Sequence, residues 1–113
     1  TIVLKNKEPF IILGSPGGSR IITAVLQTIL NVTIHNMNIQ KAVSAPRVHS
    51  QWLPDVIMAE SYSIIKDVET SLINKGHKIL PYKNVGDVNA ILINEDGYFG
   101  GTDLRGENTA IGY

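Results

Sequence analysis

The stretch Leu13-Gly14-Ser15-Pro16-Gly17-Gly18-Ser19-Arg20-Ile21 joins a run of β-formers to a long apolar-periodic segment. Ser15-Pro16-Gly17-Gly18 suits a type II turn, with Pro16 at the second position and Gly17 supplying a positive φ at the third. Ser19 is then placed to cap the following helix. Such a junction presents backbone N–H groups at a helix N-terminus, with no side chain at Gly17 or Gly18 to block approach. Unsatisfied donors and the helix dipole together attract negative charge. They can hold a bound anion, or stabilise the oxyanion that forms during acyl transfer. A tight turn with no ligand uses the same residues, and for a glycine pair alone it is the commoner case.

Two phosphate-binding patterns fit worse. A P-loop needs four residues between its glycines and then Lys with Ser or Thr. Here Gly14 and Gly18 are separated by three residues, and Arg20 follows Ser19. The dinucleotide fingerprint fails as well, because no glycine stands at the required offset after Gly18. The other chemistry-bearing residues are scattered. His35, His49 and His77 lack metal-ligand spacing and read as surface or core histidines. Asp55, Asp87 and Asp103 are candidate acids, but each adjoins turn residues and serves equally as a backbone cap. Trp52 reads as a packing residue, half-buried beside a site. Asn31-Val32-Thr33 matches a glycosylation sequon but falls in a helix expected to be buried. Thr1 at a chain start could use its own amine as base; any chain trimmed before a threonine would show the same.

The elements that must position these groups follow from periodicity. Ile2 to Lys5 and Pro9 to Leu13 read as strands of a hairpin turned at Asn6-Lys7-Glu8. Ile21, Val25 and Ile29 recur at helical spacing, as do Ile22, Leu26 and Leu30, which predicts a helix from Ser19 to Ile34 buried on most sides. Asn38 caps a short helix, Ile39 to Ser44, stopped by Pro46. Arg47 to Asp55 is extended, and Val56 to Ala59 is a further strand. A helix carrying Ile64, Val68 and Leu72 is capped by Ser63 and ended by Gly76. His77 to Leu80 and Val88 to Ile93 are strands, and Asn94-Glu95-Asp96-Gly97 turns into a last strand at Tyr98-Phe99. This is a layered α+β pattern.

The 113 residues suit one domain or a piece of one. Ten basic residues balance ten acidic ones, which argues against nucleic acid as the main partner. Cysteine is absent, excluding disulfides, thiol catalysis and zinc-thiolate sites. No apolar run is long enough for a membrane span. The chain opens directly on strand-like residues, so an upstream segment is expected.

Four motifs in order, Gly14-Ser15-Pro16-Gly17-Gly18-Ser19-Arg20-Ile21, then 42–55 (AVSAPRVHSQWLPD), 86–91 (GDVNAI) and 100–113 (GGTDLRGENTAIGY), resemble the C-terminal part of the small subunit of γ-glutamyltranspeptidase. The resemblance spans nearly the whole chain. It implies part of the αββα sandwich of an N-terminal-nucleophile hydrolase, made as a self-cleaving proenzyme. It further implies a γ-glutamyl acyltransferase and hydrolase acting on glutathione and related γ-glutamyl compounds. Water, amino acids or peptides would accept the acyl group, and no metal or organic cofactor would be needed. The expected partners are the large subunit and the remainder of the small subunit, in a periplasmic or secreted enzyme.

Carried onto this sequence, the family's oxyanion-hole glycines are Gly17 and Gly18, the catalytic and substrate-binding residues expected here. The nucleophilic threonine and the carboxylate-binding serine pair would lie upstream of Thr1, leaving Thr1 an internal residue and the 113 residues inactive alone. Asp103-Leu104-Arg105 stands where members commonly carry Asp-Pro-Arg, a change expected to loosen that loop. Rival readings are a carboxylate- or phosphate-binding module, a related acylase of the same family, and a structural domain with an empty turn.

Overall fold

The computed structural model describes residues 1–112. Its larger sheet is antiparallel throughout and runs in the order β1-β2-β6-β7: β1 (Ile2–Lys5), β2 (Glu8–Gly14), β6 (Asn89–Asn94) and β7 (Gly97–Thr102). The β1–β2 hairpin closes on Asn6 and Lys7, with φ of 54° and 71°. Positive φ at both central residues is the signature of the type I′ turn, whose twist matches that of the strands. Thr1 extends β1 by a pair of backbone hydrogen bonds with Leu13, its amine donating to the Leu13 carbonyl at 2.8 Å and the Leu13 N–H to its own at 3.0 Å.

Helices α1 (Arg20–Thr33) and α2 (Ile39–Ser44) cover one face of this sheet. Strand alternation sends Ile11 and Leu13 of β2 and Ala90 of β6 into that layer, where they meet Ala24, Val25, Ile39, Ala42 and Val43. Fully burying an aliphatic side chain such as Ile11 or Val43 contributes about 1.5–3 kcal/mol. The partners of alternation, Ile12 and Ile91, stand on the opposite face with Ile2 and Leu4 and remain exposed.

Helix α1 departs from expectation. Its second stripe is open: Ile22 is 73% exposed and Leu26 49%, with Leu30 exposed too. The sheet supplies a partner for one side only, so Ala24, Val25, Thr28 and Val32 are buried and the neighbouring stripe is not. Asn38 caps α2 as expected, its Oδ1 accepting from the Lys41 N–H at 2.9 Å.

A second sheet has the order β3-β4-β5: β3 (Val48–His49), β4 (Ile57–Ala59) and β5 (Ile79–Pro81). β4 and β5 are parallel, which requires a crossover, and α3 (Lys66–Asn74) provides it. Ser63 does not cap α3. The N-cap is Ile65, and the Ser63 hydroxyl donates instead to the Glu60 carbonyl. Gly76, at φ 92°, ends the helix as anticipated, with the His77 N–H returning to the Leu72 carbonyl. The radius of gyration, 15.1 Å, exceeds the roughly 13 Å of a compact domain of this length. No helix among the described residues is long and apolar enough to cross a membrane.

Candidate functional site

The glycine junction lies between the end of β2 and the start of α1. Both glycines have positive φ, 137° at Gly17 and 61° at Gly18, the region that favours glycine. The anticipated closing bond from Gly18 N–H to the Ser15 carbonyl is absent among the described residues. The chain instead winds straight into the helix: the Gly17 carbonyl accepts from Arg20 N–H at 3.3 Å, and the Gly18 carbonyl from Ile21 N–H at 3.1 Å. With the carbonyls turned into the helix, the N–H groups of Gly17 and Gly18 are left without acceptors among the described residues. A Cβ on Gly18 would meet nothing within 4 Å, so the turn is open on that side.

Ser19 is already helical, at φ −59° and ψ −25°, and makes no side-chain cap. A capping side chain needs extended backbone to fold back over the first turn. Its hydroxyl donates to Gln51 Oε1 at 2.6 Å instead. The same oxygen faces His49 Nε2 at 2.9 Å, while Gln51 Nε2 donates to the Leu53 carbonyl. A carbonyl oxygen only accepts, so Nε2 of His49 carries a proton, and Nδ1 pairs with Thr23 Oγ1 at 2.7 Å. His49 is thus a satisfied buried histidine that fastens the 47–53 segment to the first turns of α1, whereas His35 and His77 are exposed. Trp52 is 76% exposed and packs in no core, contrary to expectation.

Behind the turn runs the segment Val85-Gly86-Asp87-Val88. The Asp87 N–H donates to Ser15 Oγ at 2.8 Å, and that hydroxyl donates to the Pro16 carbonyl at 2.7 Å. Gly86, at φ 76°, is packed so closely that a Cβ there would come 2.8 Å from both Ala24 Cβ and Ser15 Oγ. The Val85 N–H donates to Glu60 Oε1 at 2.6 Å, Arg47 Nη1 to the Val85 carbonyl at 3.0 Å, and the Val88 N–H to Asp103 Oδ2 at 2.8 Å.

These anchors belong to one buried group of four charges. Arg47 pairs with Asp103 at 2.8 Å, and Arg105 bridges Asp103 at 2.8 Å and Glu60. Burial alone would raise the Glu60 and Asp103 pKa values. Hydrogen bonds from Arg105 and the Val85 and Arg47 N–H groups outweigh this for Glu60; those from the Val88 N–H, Arg105 and Arg47 do so for Asp103. Both carboxyls are held below their ordinary values. Burial pulls Arg47 down and its Asp103 partner only partly compensates; burial acts on Arg105 too, but its two carboxylate partners win and raise it. Asp103 is therefore a structural anchor and backbone cap, and Asp55 stands exposed away from it. Beside Leu104, Arg105 also donates to the Ala45 carbonyl at 3.0 Å. Tyr113, the last residue of the fourth motif, lies outside the described residues.

Comparison with known proteins follows the same line. The family model for gamma-glutamyltranspeptidase matches residues 1–113. The chain belongs to the γ-glutamyltranspeptidase family. It is 38% identical over 115 residues to the glutathione hydrolase proenzyme of Escherichia coli (strain K12), covering 100% of this chain and 20% of that protein. The acylase ACY 1 proenzyme of Pseudomonas sp. (strain SE83) is 38% identical over 112 residues, covering 97% of this chain and 20% of that one. Among solved structures, a T380A mutant of Helicobacter pylori γ-glutamyltranspeptidase superposes with a TM-score of 0.87 at 51% identity. That match covers 94% of this chain and 59% of the other. The chain therefore spans about a fifth of the curated relatives it matches. Its α+β layers are part of the N-terminal-nucleophile hydrolase sandwich that γ-glutamyltranspeptidases share.

Sequence reasoning placed Gly17 and Gly18 at a strand-to-helix junction, and they lie between β2 and α1. It missed Ser15 as a joint, and it missed Glu60, which sits in no recognisable motif.

Proposed function

We propose that this chain is the oxyanion-hole part of a γ-glutamyl acyltransferase and hydrolase, acting on glutathione and related γ-glutamyl amides. The observation that carries the reading is the pair of N–H groups at Gly17 and Gly18, without acceptors among the described residues, beside the N-terminus of α1 in a member of this family. When a nucleophile attacks the γ-carbonyl, charge collects on its oxygen. Fixed donors aimed at that oxygen stabilise the tetrahedral intermediate without reorganising water. The nearby helix dipole adds to this in the same sense.

The hairpin geometry supports the division of labour. Thr1 pairs with Leu13 at the end of the hairpin, so a preceding segment that kept the same direction would run alongside Gly14 and Ser15. That is where the family's carboxylate-binding serines would have to stand to present a substrate to the turn. Thr1 itself stands just before β1 with its amine engaged by the Leu13 carbonyl, which is a poor arrangement for a nucleophile using its own amine as base. The large subunit and the rest of the small subunit would supply the remaining chemistry. A chromogenic γ-glutamyl anilide tests this: the processed parent enzyme releases the anilide, and the isolated 113 residues do not. Turnover by the isolated chain that is abolished by acetylating Thr1 would overturn the assignment. The relationship to an acylase favours one second reading, in which the same turn serves another acyl group; a side-by-side assay with a non-glutamyl amide separates the two.

A further inference from the structure

We propose that Ser15 is a positioning residue that aims the Gly17 N–H, and that the Val85–Val88 segment is the abutment it works against; this rests on the oxyanion reading of the turn. The Pro16 carbonyl and the Gly17 N–H belong to one planar trans peptide unit and point in opposite directions. Whatever holds the carbonyl therefore aims the donor. Ser15 Oγ holds it, donating to Pro16 O at 2.7 Å.

A serine hydroxyl has a single proton and rotates to suit its partners. Here the oxygen is held from the other side, because the Asp87 N–H donates to one of its two lone pairs at 2.8 Å. Asp87 cannot follow the turn if it shifts. The backbone on either side of it is tied down by Glu60, Arg47 and Asp103, and Val85 and Val88 are fully buried. Asn108 Nδ2 also donates to Asp87 Oδ1 at 2.6 Å. Gly86 completes the contact. A Cβ on Gly86 would come 2.8 Å from Ser15 Oγ, so only glycine leaves the serine hydroxyl room beside this segment.

Two glycines with positive φ would otherwise make the turn the softest part of the junction. The serine joint converts it into a fixed donor, and preorganisation is what makes an oxyanion donor effective. A loosened turn still binds the ground-state ligand through other groups. It loses only the interaction that strengthens in the transition state.

The test uses the full processed enzyme with Ser15→Ala, Ser15→Thr and Gly18→Ala. Turnover of a γ-glutamyl anilide is measured together with inhibition by two probes: a boronic-acid analogue of the γ-glutamyl group, which forms a tetrahedral adduct, and free glutamate, which does not. Ser15→Ala is expected to lower kcat and boronate affinity by about 10–100-fold, less than the ~10²–10³-fold for a donor lost outright. Glutamate inhibition stays at the wild-type value, and Ser15→Thr, which restores the hydroxyl, recovers most of kcat. Should Ser15→Ala fail to mature, Ser15→Cys, with a weaker donor of similar size, reads the same split. Wild-type kcat in Ser15→Ala, or equal losses for boronate and glutamate, overturns the proposal. If Gly18→Ala alone loses kcat and boronate affinity, the oxyanion reading stands without the serine joint; if neither variant loses them, that reading fails too.

Discussion

Replacing Gly86 with alanine should destabilise the protein by more than its position in a loop suggests. The native φ of 76° puts an L-residue in the left-handed region, at a cost of about 1–2 kcal/mol. The new Cβ would stand 2.8 Å from Ala24 Cβ and from Ser15 Oγ, well inside optimal contact, and Ala24 is fully buried on α1. Overpacking of that kind costs about 1–3 kcal/mol. Together the two effects reach about 2–5 kcal/mol, a large fraction of ordinary domain stability. Urea unfolding of the full-length protein reads this as a lower midpoint at unchanged slope. Gly97→Ala is the matched control, since Gly97 also has positive φ, 129°, but its Cβ would meet nothing within 4 Å. It should show the backbone cost alone. Adding Ala24→Gly to Gly86→Ala removes one of the two clashes, so the pair should couple favourably, by about 0.5–3 kcal/mol. Equal losses for Gly86→Ala and Gly97→Ala, with Ala24→Gly simply additive, would refute the close-packed abutment.

The buried charges predict an acid limit. Glu60 and Asp103 have folded pKa values held below their ordinary 4.5 and 3.8, so their stabilisation is complete above that range and is lost as pH falls below it through the folded values. The melting temperature should fall there, and Asp103→Asn should flatten that dependence while lowering stability at neutral pH, because Arg47 loses its buried partner. The exposed stripe of Ile22, Leu26 and Leu30, with the open sheet face at Ile12 and Ile91, should make the isolated 113 residues self-associate. Sedimentation velocity over a range of concentrations checks this, and a monodisperse monomer throughout would contradict it.

The parts of the fold visible in the sequence are those set by local chemistry. The Asn6-Lys7 hairpin, the Asn38 cap, the Gly76 stop and the glycine junction each depend on residues within a few positions of one another. The helix beginning at Arg20 was legible from its period, but the burial of its second stripe was not. Two apolar stripes declare that a face is to be covered, without saying which neighbour covers it. Ser19 and Ser63 were misplaced as caps because both residues have nearer hydrogen-bond partners in space, Gln51 Oε1 and the Glu60 carbonyl. The four-charge group was out of reach for a different reason. Arg47, Glu60, Asp103 and Arg105 come from distant segments, and Asp103 alone read as either an acid or a cap. Only the folded chain shows that these charges hold the loop on which the glycine turn rests.

The central claim is geometric, and a crystal structure of the processed full-length enzyme bearing a γ-glutamyl boronate adduct tests it most directly. The account predicts that one adduct oxygen lies about 2.7–3.1 Å from the backbone nitrogens of Gly17 and Gly18, the separation of a working oxyanion hole. An adduct oxygen held by other donors, with both glycine N–H groups turned away from it, would contradict the account.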